Sequence, residues 1–364
     1  MFFDREKISP ERLLRQEVLS LSAYHVQPSP GMVKLDAMEN PYLLPEEIRK
    51  EIAGAVAKAA INRYPDAGAQ RLKQSIKAVS GLSPAVDVLL GNGSDELIQL
   101  LAMAVAKPGA TLMSVEPSFV MYKMIATFTG MNYVAVPLAE DFTLDLPAML
   151  EAIQHHQPAL IFLAYPNNPT GNSFDAAAIV QIIEAANGLV VVDEAYYAFA
   201  SNSFLPRLGD FKNLLVMRTF SKLGMAGLRL GFLAGSKVWL AQLEKLRLPY
   251  NVGVLTQEVA EILLHHHEVL LQQAEQIKRD RTWLFERLVG TVDVHAYPSD
   301  ANFILFRLPH AARAFEGLKK RGVLIKKLDG SHPALLDCLR VTVGTSDENE
   351  LFVRALQESI HQFA

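Results

Sequence analysis

Thr219-Phe220-Ser221-Lys222-Leu223-Gly224-Met225-Ala226-Gly227-Leu228-Arg229 is the stretch on which the reading of this chain turns. It sets one lysine among hydroxyls and small residues, with an arginine seven positions later. A lysine in mostly apolar surroundings is costly unless its charge is paired or its pKa is lowered. Chemistry that needs the uncharged amine, such as Schiff-base formation, favours that setting. The hydroxyls and the arginine suit a phosphate. A covalently held, phosphorylated aldehyde cofactor, pyridoxal phosphate, would use both halves of the segment. A surface loop whose lysine reaches water along its own stem fits this stretch alone equally well, so the surrounding sequence has to separate the two.

Working outward, short apolar runs alternate with helical patterns from about 86 to 235. The strand candidates are Val86 to Leu90, Thr111 to Val115, Asn132 to Val136, Ala159 to Ala164, Leu189 to Val192, Leu214 to Arg218 and Leu230 to Ala234. Helices are expected over Asp95 to Ala106 and from about Phe119. Continuous apolar strands between helices indicate an α/β protein with a mostly parallel, seven-stranded sheet covered on both faces. Upstream, Ile48, Ile52, Ala55, Val56 and Ala59 fall near helical spacing within Pro45 to Ile61. Asn62-Arg63-Tyr64-Pro65-Asp66 breaks that helix, and a second runs from about Ala69 to Val79. Downstream, a long helical region from Thr256 to Val289 precedes strand candidates at Ala301 to Arg307, Val323 to Ile325 and Leu339 to Val343. The expected division is an N-terminal arm and part of a small domain over 1–45, a large cofactor-binding domain over 46–255, and a small α+β domain over 256–364.

Bulk properties narrow the class. Half of the 364 residues are hydrophobic, which is ample for a large core, and the formal net charge is −4 with both signs interspersed. No basic stripe suits nucleic acid and no polybasic patch suits a membrane surface. No apolar run is long enough to span a bilayer. Cys338 is the only cysteine, so no intrachain disulfide can form, as suits a reducing compartment. Met1-Phe2-Phe3-Asp4-Arg5-Glu6-Lys7 turns charged at once, without a signal-peptide core. The expectation is a cytoplasmic enzyme acting on small molecules.

Ligands of an open parallel sheet bind beyond the carboxyl ends of its strands, so the residues that follow each strand carry the argument. After the first comes Gly91-Asn92-Gly93-Ser94-Asp95-Glu96, a glycine turn opening a helix. Its free N–H groups suit a phosphate, although Ser94 also reads as a plain N-cap. After the second comes Glu116-Pro117-Ser118-Phe119. Phe119 could stack on a flat ring or simply open a helix from the core. The fourth is followed by Tyr165-Pro166-Asn167-Asn168-Pro169-Thr170-Gly171. Its prolines and glycine define the loop tightly and present the Asn168 amide. The fifth is followed by Asp193-Glu194-Ala195-Tyr196. A carboxylate at Asp193 could keep a pyridine nitrogen protonated, and Tyr196 could bond a phenolic oxygen. The lysine segment follows the sixth. A phosphate cradle, a ring stacker, an amide, a ring-nitrogen acid and a Schiff-base lysine are complementary parts of one site.

These residues resemble the fold-type I pyridoxal-phosphate aminotransferases, in order and spacing, over nearly the whole chain. Within them the sequence is most similar to the histidinol-phosphate aminotransferase family. Asn62-Arg63-Tyr64-Pro65-Asp66, Met38-Glu39-Asn40-Pro41-Tyr42 and Cys338-Leu339-Arg340-Val341-Thr342-Val343-Gly344-Thr345 carry that narrower likeness. The resemblance implies pyridoxal 5'-phosphate joined to Lys222, with Asp193 on the ring nitrogen, Asn168 and Tyr196 on the ring oxygen and Phe119 on the ring face. Ser94, Asp95, Thr219, Ser221 and Arg229 would surround its phosphate. It also implies a homodimer in which Tyr64 reaches the neighbouring subunit's cofactor phosphate. Arg340 would bind the substrate's anionic end, with Tyr24, Asn40 and Lys327 completing the substrate set. The implied reaction is amino transfer from L-histidinol phosphate to 2-oxoglutarate.

Two departures from the family's pattern stand out. An arginine is common about thirteen residues before Arg340, and Lys326 and Lys327 stand in that stretch instead. Lysine keeps the charge and loses the bidentate fork. The arm Ala23-Tyr24-His25-Val26-Gln27-Pro28 matches only loosely. An aromatic-amino-acid aminotransferase or a threonine-phosphate-type decarboxylase would use the same scaffold. No metal is expected: His265-His266-His267 are consecutive in a helical pattern and point in different directions.

Overall fold

The computed structural model describes residues 8–23 and 27–361. Met1 to Lys7 and Tyr24, both singled out above, lie outside the described residues. Seven strands build the main sheet: β2 (Val86–Gly91), β3 (Thr111–Glu116), β4 (Asn132–Pro137), β5 (Leu160–Ala164), β6 (Leu189–Asp193), β7 (Leu214–Thr219) and β8 (Gly231–Ser236). Their order is β2-β8-β7-β6-β5-β3-β4, and every neighbouring pair is parallel except the two that involve β8. All seven coincide with the apolar runs, within one or two residues at each end.

Strand geometry explains why those runs are continuous rather than alternating. Successive side chains point to opposite faces, and both faces are covered. Ile161, Leu163, Val190, Val192 and Val216 pack on one side. Leu160, Phe162, Leu189, Val191, Leu215 and Met217 pack on the other, with helix Ser94–Val105 and helix Met121–Thr129 over them. Full burial of each such side chain contributes about 1.5–3 kcal/mol.

A second sheet has five strands in the order β1-β11-β12-β10-β9. They are β1 (Val33–Leu35), β9 (His295–Ala296), β10 (Phe303–Arg307), β11 (Val323–Lys327) and β12 (Cys338–Thr342). β1 joins from far up the chain, parallel to β11, pairing Val33 with Val323 and Leu35 with Ile325. Sequence reading misses β1 because three residues are too short for a periodic signal, and its partner lies almost 300 positions away. The long helical region divides into Val254–His265 and His267–Val289 at His266, whose Nε2 lies 2.8 Å from Glu51 Oε2. Among the described residues no helix is long and apolar enough to cross a membrane.

One buried ion pair ties the ends of β6 and β7. Arg218 Nε donates to Glu194 Oε2 at 2.9 Å, and Arg218 Nη2 lies 2.8 Å from the same oxygen. Glu194 Oε1 also accepts from Ser203 Oγ and from the Phe204 backbone N–H. The Arg218 guanidinium covers the Tyr197 ring at 4.1 Å. Removing one member of such a pair strands the other charge, typically at about 3–5 kcal/mol. Arg218→Met should therefore lower unfolding free energy by about that amount in urea titration. A change under about 0.5 kcal/mol would show that the pair is not structural.

Candidate active site

β2, β3, β5, β6 and β7 run the same way, so their carboxyl ends share one edge of the sheet. A cavity of about 110 Å³ opens there. Ten of the eleven cofactor-site residues expected from sequence line it. The eleventh, Tyr64, does not. It is 80% exposed and stacks on Tyr250 with ring centroids 4.4 Å apart.

Asp193 continues the register of Leu189 and Val191, which puts its carboxylate on the face covered by helix Met121–Thr129. Tyr122 on that helix donates to Oδ2 at 2.7 Å, and the Ala195 N–H donates to Oδ1 at 3.1 Å. No cation pairs with Asp193 among the described residues. Burial therefore dominates and pushes the carboxyl up to about 7, against the opposing pull of the two hydrogen bonds. A protonated ring nitrogen is the kind of partner this carboxylate lacks.

Lys222 follows β7 on an irregular helical turn, Ser221–Met225. Its Nζ donates to the Ala37 carbonyl at 3.0 Å. Burial, followed by the field of Arg340, lowers its pKa to about 8. The uncharged amine that Schiff-base chemistry requires is thus accessible near neutral pH.

The phosphate cradle is built from three segments. Helix Ser94–Val105 starts without a side-chain cap, leaving its first N–H groups for a ligand. Gly93 precedes it at φ 83°, and a Cβ there would stand 2.6 Å from Arg229 Nη2. At Gly231 a Cβ would stand 2.9 Å from the Gly93 carbonyl carbon and the Ser94 nitrogen. Glycine at both positions lets the turn, β8 and the arginine close together. Thr219 Oγ1 donates to Ser221 Oγ at 3.0 Å, which also accepts from Arg229 Nη1 at 3.2 Å. Arg229 Nη2 lies 3.5 Å from Asp95 Oδ2. Hydroxyls, helix N–H groups and a guanidinium are a donor set that fits a phosphate.

A larger cavity of about 470 Å³ adjoins the first and shares Met38, Phe119 and Asn168 with it. Arg340 reaches its wall from β12, where its side chain is buried. Its guanidinium donates to Asn168 Oδ1 and, at 3.0 Å, to the Asp36 carbonyl. With Oδ1 so engaged, the Asn168 residue lies on the wall between the two cavities.

Two of the residues expected at the substrate lie outside both cavities. Lys326, not Lys327, lines the larger cavity. Lys326 pairs directly with Arg340 across β11 and β12, whereas Lys327 pairs with Leu339 and its residue is exposed. One step along a strand reverses the face. Asn40 lines neither cavity. Its Nδ2 donates to the Leu223 carbonyl and to Gln273 Oε1, and its Oδ1 accepts from the Tyr42 N–H, so it braces the back of the lysine turn.

Tyr122 and Glu194 were not assigned roles from the sequence. Tyr122 lies three residues beyond Phe119, in the first turn of helix Met121–Thr129, and its ring meets the Phe119 ring edge-on at 5.6 Å. Glu194 serves the sheet through Arg218 rather than the cavity.

The fold and the lysine-bearing sheet edge define an aminotransferase: the family model for aminotransferase class I and II matches residues 30–356. A histidinol-phosphate aminotransferase of Chromobacterium violaceum is 51% identical over 351 residues, 96% of this chain and 99% of that protein. Histidinol-phosphate aminotransferase 2 of Cupriavidus pinatubonensis is 52% identical over 355 residues, 96% and 97% of the two chains. The chain belongs to the histidinol-phosphate aminotransferase family. Among solved structures, the histidinol-phosphate aminotransferase of Sinorhizobium meliloti in complex with pyridoxal-5'-phosphate shares the fold. Its TM-score is 0.87 at 24% identity, over 97% of this chain and 98% of that one.

The depressed lysine gives a pH prediction. In cofactor-free protein, acylation of Lys222 by acetic anhydride, read by peptide mass spectrometry, should reach half its maximal rate near pH 8. An ordinary lysine would do so near about 10.4. Raising pH through the midpoint removes the proton and speeds the reaction. Arg340→Met should move the midpoint upward, since one repelling charge is gone. A midpoint above about pH 10 would contradict the reading.

Proposed function

We propose that the protein transfers the amino group of L-histidinol phosphate to 2-oxoglutarate, in histidine biosynthesis, using pyridoxal 5'-phosphate. The products are imidazole acetol phosphate and glutamate. The observation that carries this reading is the junction of two cavities. One is small, with Lys222 and Asp193 on its walls, and the other is larger, with Arg340 and Lys326 side by side. Two cations suit a phosphate dianion better than a lone carboxylate, and they suit an uncharged aromatic side chain least. The relatives of about half identity are named for this activity.

Each side chain then has a task. Asp193 holds a proton on the ring nitrogen, and Phe119 packs against the ring face. Asn168 Nδ2 and Tyr196 address the ring oxygen. The start of helix Ser94–Val105, with Asp95, Thr219, Ser221 and Arg229, holds the cofactor phosphate. When bound, the cofactor supplies an electron sink for the charge left at the substrate Cα. Lys222 Nζ would take the substrate Cα proton and pass it to the cofactor carbon bonded to the amino nitrogen, which a pKa near 8 allows at neutral pH. Arg340 and Lys326 hold the phosphate of one substrate and a carboxylate of the other in turn. Burial and the neighbouring Arg340 both lower the pKa of Lys326, with Asp36 opposing them.

We read residues 46–255 as the large cofactor-binding domain, 256–364 as the small domain, and 1–45 as an arm that lends β1 to it. The working form is a cytoplasmic homodimer in which Tyr64 contributes to the neighbouring subunit's cofactor phosphate. Ile61, Tyr64 and Leu248 are large side chains exposed by 72% or more, which a second copy would cover.

The test is a half-reaction. L-histidinol phosphate added to the holoenzyme should abolish the absorbance of the lysine-bound cofactor, and 2-oxoglutarate should restore it. Faster conversion with phenylalanine, or carbon dioxide release from threonine phosphate, would overturn the substrate assignment.

A further inference from the structure

The larger cavity carries a group that amino transfer does not employ. Glu116 is the only carboxylate among the residues that line it. It closes β3, and its side chain is 22% exposed. Three groups face it. His332 Nε2 lies 3.7 Å from Oε2, Lys123 Nζ lies 3.7 Å from Oε1, and Tyr133 lines the same cavity, where the Glu116 charge adds to the rise of its phenol. Burial, reinforced by Glu116, pushes the Tyr133 phenol well above its ordinary value, so it stays a donor. His332 is oriented by its own turn: its Nδ1 accepts from the Ala334 N–H at 3.2 Å. At 3.7 Å the imidazole and the ammonium both stand beyond hydrogen-bond range. An ionised carboxylate offers about four acceptor positions, so Glu116 keeps capacity for an N–H from a ligand in the cavity.

The cavity is thus chemically two-sided. The small sheet brings Arg340 and Lys326, and the large sheet brings Glu116. A molecule with a phosphate on one arm and an imidazole on the other matches both. The imidazole has one N–H when neutral and two when protonated. We propose that Glu116 accepts the imidazole N–H of the substrate and so selects that ring over a phenyl ring. This inference rests on the substrate reading given above. A phenyl group of similar size would displace water from the carboxylate without supplying an N–H within hydrogen-bond range, and a polar group that loses its hydrogen-bond donor rejects a substrate more strongly than shape does.

The experiment compares wild-type, Glu116→Leu and Glu116→Gln holoenzymes on two substrates. L-Histidinol phosphate has the ring N–H; L-phenylalaninol phosphate keeps the amine and phosphate and lacks it. In Glu116→Leu, kcat/KM for histidinol phosphate should fall roughly 10- to 100-fold, the loss of one charge-assisted hydrogen bond. For phenylalaninol phosphate it should hold or rise, which also reports an intact site. Glu116→Gln, which retains an acceptor, should keep more of the discrimination than the leucine variant. An equal fall on both substrates, or an unchanged ratio between them, overturns the role of Glu116 while leaving amino transfer standing. Wild-type protein inactive on histidinol phosphate overturns the substrate reading itself, and this inference with it.

Discussion

Asp193 and Lys222 are held out of water on the walls of one small cavity, and they do not pair with each other. Burial drives their titrations toward one another, the carboxyl up to about 7 and the amine down to about 8. Each is left nearer neutrality than its type would be in water. A ligand that brings a protonated ring nitrogen to one and an aldehyde to the other satisfies both groups at once. Much of the surrounding structure serves to keep these two groups buried and correctly aimed. Tyr122 fixes the carboxylate, the Ala37 carbonyl receives the ammonium, and the glycines at 93 and 231 bring the phosphate cradle up against the same space.

The sheet makes this arrangement possible. Six strands run the same way and end at one edge, and five of them, β2, β3, β5, β6 and β7, bring residues as far apart as Gly91 and Thr219 to one site without any loop having to travel far. The reversed strand β8 lies between β2 and β7 and returns the chain beside the cradle, where Gly231 allows the close approach. The buried pair of Arg218 and Glu194 holds the ends of β6 and β7, directly behind Asp193 and Lys222. The second sheet supplies Arg340 and Lys326, and Met38 contacts both cavities.

Much of this was legible in the sequence, for a physical reason. Strands covered on both faces must be apolar throughout, so the seven runs stood out, and the residues just past them formed a coherent chemical set. What stayed hidden depended on pairing. Lys326 and Lys327 differ by one position, and only the register with Arg340 and Leu339 decides which faces the cavity. Asn40 sits in a segment typical of the family, yet its amide is used within the fold. β1 is too short to announce itself without β11. Tyr122 and Glu116 acquire meaning only from what lies across from them, a carboxylate in one case and a basic wall in the other.

The identity of the cofactor-bearing lysine can be read directly. Borohydride reduction of the holoenzyme, followed by proteolysis and mass spectrometry, should place a phosphopyridoxyl group on the peptide that carries Lys222. Label on a different lysine, or an unlabelled Lys222 in protein that holds the cofactor, would contradict it.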